Sequence, residues 1–440
     1  MNRKFSGIAL ASLFFVINIV HAQEKIPLEQ VIALALDKNY DVQLWKNTSD
    51  ANKTSDRYSW GLLLPQLNAT GAETWTSNKQ TLRFNDVTKN NSGTNEANNV
   101  SASVQLNWTL FDGTKMFATR QRLAVIAEQG ELLVKDQMVN TVASVINNYY
   151  NVVRQKQQLR AIQELMAVSE ERVKLAEKKL QVGTGAKPEL LQAKVDYNTQ
   201  RTQVFQQEAA IRQLKEQLNG LVGSGLPPNY DVGDSIEINL GITQEDLLEN
   251  VENSNFTLQA ARRNFNIAGL ALRERRGELL PTLSFTSSYN YSRQDNTKLI
   301  NPFNTIYSLT NGYNYGFAIN IPILNFFTTR RNVYLAKVTL DRQQVLYDQL
   351  KMNVNVGVRN AYTNYDYAKQ ILTVEEETIA LAKENVFIAL ESFKRGVVTY
   401  IELRTAQQSL ADAYNSLIAA RYNAKLAETE LLRLNGALLK

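Results

Sequence analysis

The sequence predicts a mixed α/β membrane protein: one unit written twice, whose strands share a β-barrel with other copies of the chain and whose long helices continue it as a coiled coil. Three observations predict this. Markers recur in the same order 213–216 residues apart. Four stretches alternate apolar and polar residues with period 2, the pattern of a strand with two unlike faces. Two further stretches hold apolar or aromatic residues at every seventh position, Lys351 being the one exception, the mark of a coiled-coil seam.

The N-terminus reads as a signal peptide over residues 1–22. Arg3 and Lys4 give it a basic start, Gly7 to Val20 is largely apolar, and Val20 and Ala22 are the small residues that cleavage before Gln23 requires. The apolar run is shorter than the roughly 20 residues of a spanning helix. Cleavage leaves 418 residues without cysteine and, because His21 is the sole histidine, without histidine. Disulfides, thiolate or imidazole metal sites and histidine acid–base chemistry are excluded together, and no metal or cofactor is expected. The exported part carries 46 Lys+Arg against 43 Asp+Glu, which is no argument for nucleic acid. No later stretch has 18 uncharged apolar residues, so membrane insertion would take a closed barrel.

The repeat comes first in the argument. "LLLPQL" around Pro65 and "ELLPTL" around Pro281 lie 216 residues apart, as do Asn39 and Asn255; Asn107 pairs with Asn320 and Gly183 with Gly396 at a spacing of 213. The first repeat is assigned to 23–220, an inter-repeat linker to 221–241 and the second repeat to 242–440. Each repeat orders helix, two strands and a long helical hairpin. Pro65 and Pro281 mark the helix-to-strand junctions.

Strands are predicted over 66–76, 98–111, 282–292 and 313–323. Val100, Ala102, Val104, Leu106, Trp108 and Leu110 alternate with Ser101, Ser103, Gln105, Asn107 and Thr109. Leu283, Phe285, Ser287, Tyr289 and Tyr291 alternate with Thr282, Ser284, Thr286, Ser288 and Asn290, and Tyr313, Tyr315, Phe317, Ile319, Ile321 and Ile323 alternate with Asn314, Gly316, Ala318 and Asn320. Leu67, Ala69 and Gly71 make the weakest run. Lengths of about 9–11 residues and aromatics crowded on one face favour membrane strands. The connections 77–98 and 293–312 are polar, like outward loops. Four strands cannot close a barrel, and lipid forbids open edges. Cyclic oligomers of two, three or four copies would supply 8, 12 or 16 strands, and strand arithmetic does not choose among them.

Helices of roughly 114–182 and 328–394 follow. Met138, Val145, Val152, Leu159, Met166, Val173 and Leu180 fall seven apart, and so do Lys351, Val358, Tyr365, Leu372, Ile379, Val386 and Phe393. Gly183-Thr184-Gly185 and Gly396 break the helices. Each is followed by a return helix rich in small or polar residues, among them Ala193, Thr199 and Thr202 in one, and Ala406, Ala411, Ala413, Ala419 and Ala420 in the other. Small residues permit close packing. The turns read as hairpin structure or, in addition, as partner-docking or pore-narrowing tips.

The ordered, duplicated set "IPLEQVIALALDKN", "LLLPQL", "LNWTLFDG", "VGTGAKPELLQA", "ELLPTL" and "RGVVTYIELRTAQQSL" resembles the TolC-type outer-membrane efflux family over about 26–436. The resemblance implies a homotrimer, with one 12-stranded barrel in outer-membrane lipid and a 12-helix periplasmic tunnel. It also implies a mixed belt near Ser224–Asn239. The implied partners are a periplasmic adaptor and, through it, an inner-membrane RND, ABC or MFS-type pump. Adaptor docking is carried over to Val182, Gly183, Thr184, Gly185, Arg395, Gly396, Val397 and Val398. An acidic constriction at the periplasmic entrance is carried over to Glu189 and Glu402, with Lys394 and Thr405 beside them. Val398 stands where a family gate arginine is known and Thr405 where a second aspartate is, so closure must rest on other contacts, such as Lys394, Arg395 or backbone packing. Glu402 has a plainer reading, as a cap of its turn.

No phosphate-cradling loop is present, so transport would be passive. The expected function is an exit duct for drugs or other toxic small molecules; type I protein secretion is the alternative. A soluble periplasmic scaffold would leave the aromatic-faced strands without purpose. A barrel enzyme would need a converging nucleophile and base, and none is found.

Overall fold

The computed structural model describes residues 25–227, 229–243, 251–301 and 304–439. The signal-peptide assignment, and the stretch 244–250 near the expected start of the second repeat, lie outside them. In chain order the elements are α1 (Leu28–Lys38), α2 (Tyr40–Arg57), β1 (Gln66–Leu82), β2 (Asn91–Phe111), α3 (Lys115–Gln181) and α4 (Lys187–Leu221). A single turn at Val251–Ser254 precedes α5 (Phe256–Gly277), β3 (Thr282–Lys298), β4 (Tyr307–Asn320), α6 (Thr328–Lys394) and α7 (Tyr400–Leu434). Two compact units form. Unit 1 takes the residues before 40 with 141–240 and 364–429, and unit 2 takes 40–140, 241–363 and the residues from 430 on.

Unit 2 contains one antiparallel sheet in the order β1-β2-β3-β4. Its strands outrun three of the four predicted ones, and most of the two predicted polar loops is strand: only 83–90 and 299–306 separate the paired strands. The extensions are polar on both faces, so alternation could not mark them. They are held instead by the backbone ladder and by pairs such as Thr81 Oγ1 with Ser92 Oγ at 3.1 Å and Lys298 with Glu96 at 2.7 Å. β4 stops earlier than expected, at Asn320, so Ile321 and Ile323 lie beyond it. Pro322 cannot donate to a ladder, which ends the pairing there.

Helices α3 and α6 have 67 residues each, on the order of 100 Å at the α-helical rise. The seven-residue seam of α6 is buried from Val358 through Tyr365, Leu372, Ile379 and Val386 to Phe393. The seam of α3 is buried as expected at Val145 and Val152, but farther along it slides one residue, to Leu165 and Arg172, leaving Met166 and Val173 half-buried. The slip puts Arg172 on the buried side, where its guanidinium meets Asp196 of α4 and Gln407 of α7.

In unit 1, Leu372, Ile379 and Val386 of α6 share a core with Leu165 and with Ala406, Leu410, Ala413, Leu417 and Ala420 of α7. Ala406, Ala413 and Ala420 are themselves seven apart, so the small residues line one seam. Thr199 and Thr202 of α4 instead point outward and bond carbonyls of their own helix. The linker packs against α3 and α4 through charge. Asp231 receives Lys156 at 2.6 Å and Lys215 at 3.1 Å, while Asp234 receives Lys25, Lys156 and Arg160. Tyr149 joins the layer by donating to Ile26 O and accepting from Gly233 N. Burial drives Asp231 toward the neutral form, but Lys156 and Lys215 outweigh it and hold its carboxyl below the usual range. Hydrogen bonds from Lys25 and Lys156 depress Asp234 as well.

The repeat markers have a physical cause. In unit 1 the buried Asn39 donates from Nδ2 to the carbonyl of Leu221, the last residue of α4, at 2.8 Å. In unit 2 Asn255 does the same to Leu434, the last residue of α7, also at 2.8 Å, and its Oδ1 caps α5 through Leu258 N. Each return helix is then followed by a glycine with positive φ, Gly223 or Gly436, where a Cβ would collide with the carbonyl of Lys38 or Ser254.

Asn255→Ala removes both the α5 cap and the partner of the Leu434 carbonyl. It is expected to cost about 2–3 kcal/mol, read as a fall in the urea midpoint of the detergent-solubilised protein. The depressed Asp231 and Asp234 carboxyls stabilise the fold fully above the unfolded value of about 3.9, and that stability is lost as pH falls through their folded values. Lys156→Met, which leaves Asp231 only Lys215, is expected to cost about 1–3 kcal/mol at neutral pH and to flatten the loss of thermal stability below about pH 4.

Candidate functional site

Two places in the molecule carry the features expected of a function: the faces of the sheet in unit 2 and the hairpin turns in unit 1.

The register of unit 2 aligns the alternation across all four strands. Ala69 pairs with Val104, Val104 with Tyr289 and Tyr289 with Tyr313; Trp108 pairs with Phe285 and Phe285 with Phe317. These side chains share one face. The opposite face carries Asn68, Gln105, Ser288 and Asn314 in one row. It is knit by hydroxyls, with Thr70 and Ser103 at 2.9 Å and Ser288 donating to Asn314 Oδ1 at 2.6 Å. The apolar face is open to its surroundings: Tyr313 is 77% and Ile319 67% exposed. On β3 it runs from Leu283 to Tyr291, about 26 Å at the strand rise, which is the height of the lipid-facing band of a membrane barrel. The next row brings in charge through Glu73 and Arg293, the latter paired with Asp295 at 2.6 Å. Among the described residues the outer edges of β1 and β4 have no strand partner. Pro65 and Pro281 stand immediately before β1 and β3, where a missing N–H costs the ladder nothing.

In unit 1 both long helices end in the same turn. Gly183 N bonds Leu180 O and Thr184 N bonds Lys179 O; Gly396 N bonds Phe393 O and Val397 N bonds Ser392 O. This doubly closed end needs the left-handed backbone that Gly183 and Gly396 adopt, with φ of 81° and 75°. A Cβ at either glycine would meet nothing within 4 Å, so backbone conformation rather than crowding demands glycine there. Val182 and Val397 are exposed, as are Thr184 and Arg395, while Gly185 and Val398 are half-buried. Lys179 Nζ lies 4.4 Å from the centre of the Phe393 ring, joining the ends of α3 and α6.

Among the described residues no hydrogen bond or ion pair joins any two of Glu189, Glu402, Lys394 and Thr405. Glu402 closes a capping box: its carboxylate accepts from Thr399 N at 2.6 Å, and Thr399 Oγ1 accepts from Glu402 N at 3.3 Å. The capping reading of Glu402 is therefore the observed one. Lys394 pairs with Glu391 of its own helix at 2.8 Å, and the Thr405 hydroxyl donates to Ile401 O. Glu189 sits half-buried in the first turn of α4, whose N-cap Ala186 offers no side-chain cap.

A polar cluster between the two hairpins lies elsewhere. Asp196 of α4 receives Arg172 of α3 at 2.5 Å, Tyr400 of α7 at 2.8 Å and Gln192 at 2.9 Å, with Arg404 of α7 at 3.8 Å. Arg172 is 2% exposed, lies over the Tyr400 ring and donates to Gln407 Oε1 at 3.1 Å. Burial alone would raise the Asp196 carboxyl, but hydrogen bonds from Gln192, Tyr400 and Arg172 bring it below the usual range. Burial and the bond to Asp196 push the Tyr400 phenol up. Sequence reading passed over this cluster because it placed the α3 seam on Val173. The available signal was Arg172 seven residues after Leu165.

A family model described as Outer membrane efflux protein matches residues 34–224 and again 247–437, two copies 213 residues apart. The cation efflux system protein CusC of Escherichia coli K12 is 22% identical over 386 residues, 86% of this chain and 78% of CusC. The outer membrane efflux protein BepC of Brucella suis biovar 1 is 23% identical over 348 residues, 76% of this chain and 72% of BepC. Among solved structures, the Campylobacter jejuni CmeC outer membrane channel superposes with a TM-score of 0.77 at 18% identity, covering 93% of this chain and 85% of CmeC. The chain belongs to the outer membrane efflux protein family, as a passive exit duct of the outer membrane with a helical periplasmic tunnel, and not as an enzyme.

Proposed function

We propose that three copies of the chain build one continuous duct, with a 12-stranded barrel in the outer membrane and a 12-helix tunnel below it. The observation that carries this reading is the sheet of unit 2, with one aromatic face, one hydroxyl- and amide-bearing face and two unpaired edges. In lipid an unpaired edge must find a partner, and another copy offers β1 to β4. The aromatic face then meets lipid, and the polar face lines the path.

The tip turns at Val182–Gly185 and Arg395–Val398 are the docking points for a periplasmic adaptor, and through it for an inner-membrane pump. Their exposed valines and paired helix ends support that role. Glu189 and Glu402 line the entrance nearest the turns, Glu402 held in place by its cap. Closure rests on Asp196 rather than on Lys394 or Thr405, because Asp196 ties α3 and α4 to α7 while those two bond within their own helices.

CusC is described as part of a cation efflux system. Soft metal ions favour thiolate, thioether or imidazole ligands, and beyond residue 22 this chain has four methionines, no histidine and no cysteine. Small organic compounds are therefore the proposed cargo.

The detergent-corrected mass of the native protein extracted from outer membranes is expected to equal three chains; a detergent-free monomer would overturn the duct geometry. Asp196→Asn and the milder Tyr400→Phe are expected to raise the open probability in planar bilayers several-fold without changing that mass. Conductance traces indistinguishable from the parent for both variants would remove Asp196 from closure.

A further inference from the structure

The charged side chains of the sheet in unit 2 all lie on one side of it. Glu73 and Lys79 of β1, Glu96 of β2 and Arg293, Asp295 and Lys298 of β3 fall on the face that carries Val104, Tyr289 and Tyr313, and β4 has no charge. Their contacts agree with the register. Lys298 pairs with Glu96 at 2.7 Å and Arg293 with Asp295 at 2.6 Å, while Asn98 of the same face donates to Glu73 Oε1 at 3.0 Å. A bulge between the Ala97–Asn296 and Glu96–Lys298 pairs keeps Lys298 on that side.

Among the described strand residues the opposite face carries no charge. From Asn91 to Thr109 of β2 its side chains are amides, hydroxyls and small groups, over about 60 Å of strand at the β rise. Their neighbours across the register are likewise uncharged: Thr70, Thr74 and Gln80 on β1, Ser288 and Gln294 on β3, Thr310 and Asn314 on β4. The chain as a whole is 21% charged, so a polar surface of this length would ordinarily hold several charges. Several of these groups are also spent on one another. Thr70 and Ser103 share a hydrogen bond, Asn290 donates to Ser288 Oγ at 2.9 Å, Ser288 donates onward to Asn314, and Gln294 donates to Asn296 Oδ1 at 3.1 Å.

We propose, resting on the duct reading above, that this face is a charge-neutral exit wall, which passes polar organic cargo of either charge sign, or of none, without holding it. A charge here would recur in every copy and form a ring at one level of a narrow path with lipid outside it. Low-dielectric walls focus the field of such a ring, which concentrates ions of one sign by about 10-fold or more and slows their departure. Hydroxyls and amides offer donors and acceptors together, which water occupies when no guest does, so they favour neither sign. A cation-specific wall would carry carboxylates and an anion-specific one lysines or arginines, yet the strands turn every such group to the other side. An apolar cargo finds no row to stack on either, because Tyr289, Tyr313 and Phe317 also face away. Discrimination by charge then lies outside the sheet.

The chain has no cysteine, so an introduced one is its only thiol. Ser288→Cys and Ser103→Cys each exchange a single atom on the polar face, and either serves should the other fold poorly; Val104→Cys, on the apolar face, is the control. The full-length variants in phospholipid vesicles are treated at low salt with a cationic and an anionic thiosulfonate reagent, neither of which crosses lipid. Labelling is followed by mass, and each rate is divided by that of the same reagent with a small uncharged thiol. On the polar face the corrected cation-to-anion ratio is expected to lie within about 3-fold of one and to ignore added salt, because no fixed charge is there to be screened. Gln105→Asp, directly across from Ser288, is expected to raise the ratio at Ser288→Cys about 10-fold at low salt. A ratio about 10-fold from one without that change, abolished by salt, would overturn the neutral wall, as would a ratio that Gln105→Asp leaves unmoved. Labelling of Val104→Cys alone would overturn the duct reading, and the wall with it.

Discussion

An open sheet edge cannot be left in hydrocarbon, and the rest of this molecule depends on that constraint. Each unpaired N–H or C=O costs several kcal/mol where no water can reach it. A chain with four strands and one aromatic face therefore has no stable membrane form by itself. In the proposed duct oligomerisation is part of folding, and the strands need only pair in register and keep their faces consistent. The register achieves this in its main rows: Ala69, Val104, Tyr289 and Tyr313 meet on one face, and Asn68, Gln105, Ser288 and Asn314 on the other.

The helical parts solve a different problem, that of packing long helices side by side without a globular core. On α6 the answer is a seam repeated every seven residues, and on α7 a matching row of alanines and leucines. From Val358 to Phe393 every buried position of the α6 seam is apolar or aromatic. Where α3 departs from the rule, Ser169 and Arg172 occupy its buried side, and the space beside them is an amide-lined cleft. Polar groups that can exchange partners with water make that level of the bundle easier to rearrange than the apolar seam of α6 and α7.

Much of this was legible in the residues, for a reason that can be stated. Duplication doubled each weak signal, so Asn39 with Asn255 and Gly183 with Gly396 marked equivalent helix ends before their hydrogen bonds were known. Alternation placed the strands but not their ends, because the outer halves of β1, β2 and β3 are polar on both sides and period 2 has nothing to contrast there. Glu402 could be read as a cap or as a ring member, since the sequence T-x-x-E fits the first and family resemblance the second; its hydrogen bonds show the cap, which leaves a place in a ring of copies open. Of the Asp196 cluster only Arg172, seven residues after Leu165, left a trace in the sequence. The cluster depends on a one-residue slip in a seam and on side chains 24 and more than 200 positions apart.

That cluster also breaks the symmetry that the duplication established. Shifting by 213 residues carries Arg172 to Asn385, Asp196 to Ser409, Tyr400 back to Lys187 and Arg404 back to Leu191. None of these can rebuild a guanidinium–carboxylate–phenol contact, so the ion pair is written once per chain although the hairpin is written twice. The tips differ in the same sense: Thr399 and Glu402 form a capping box, whereas their counterparts Ala186 and Glu189 do not, for want of a hydroxyl. In a ring of identical chains, hairpins of the two kinds alternate, and each joint between neighbouring hairpins need not be equally strong. A pair formed only where α4 meets α7 of the same chain makes that joint the firmer one. Movement of one hairpin against the next would then begin at the joints that lack it.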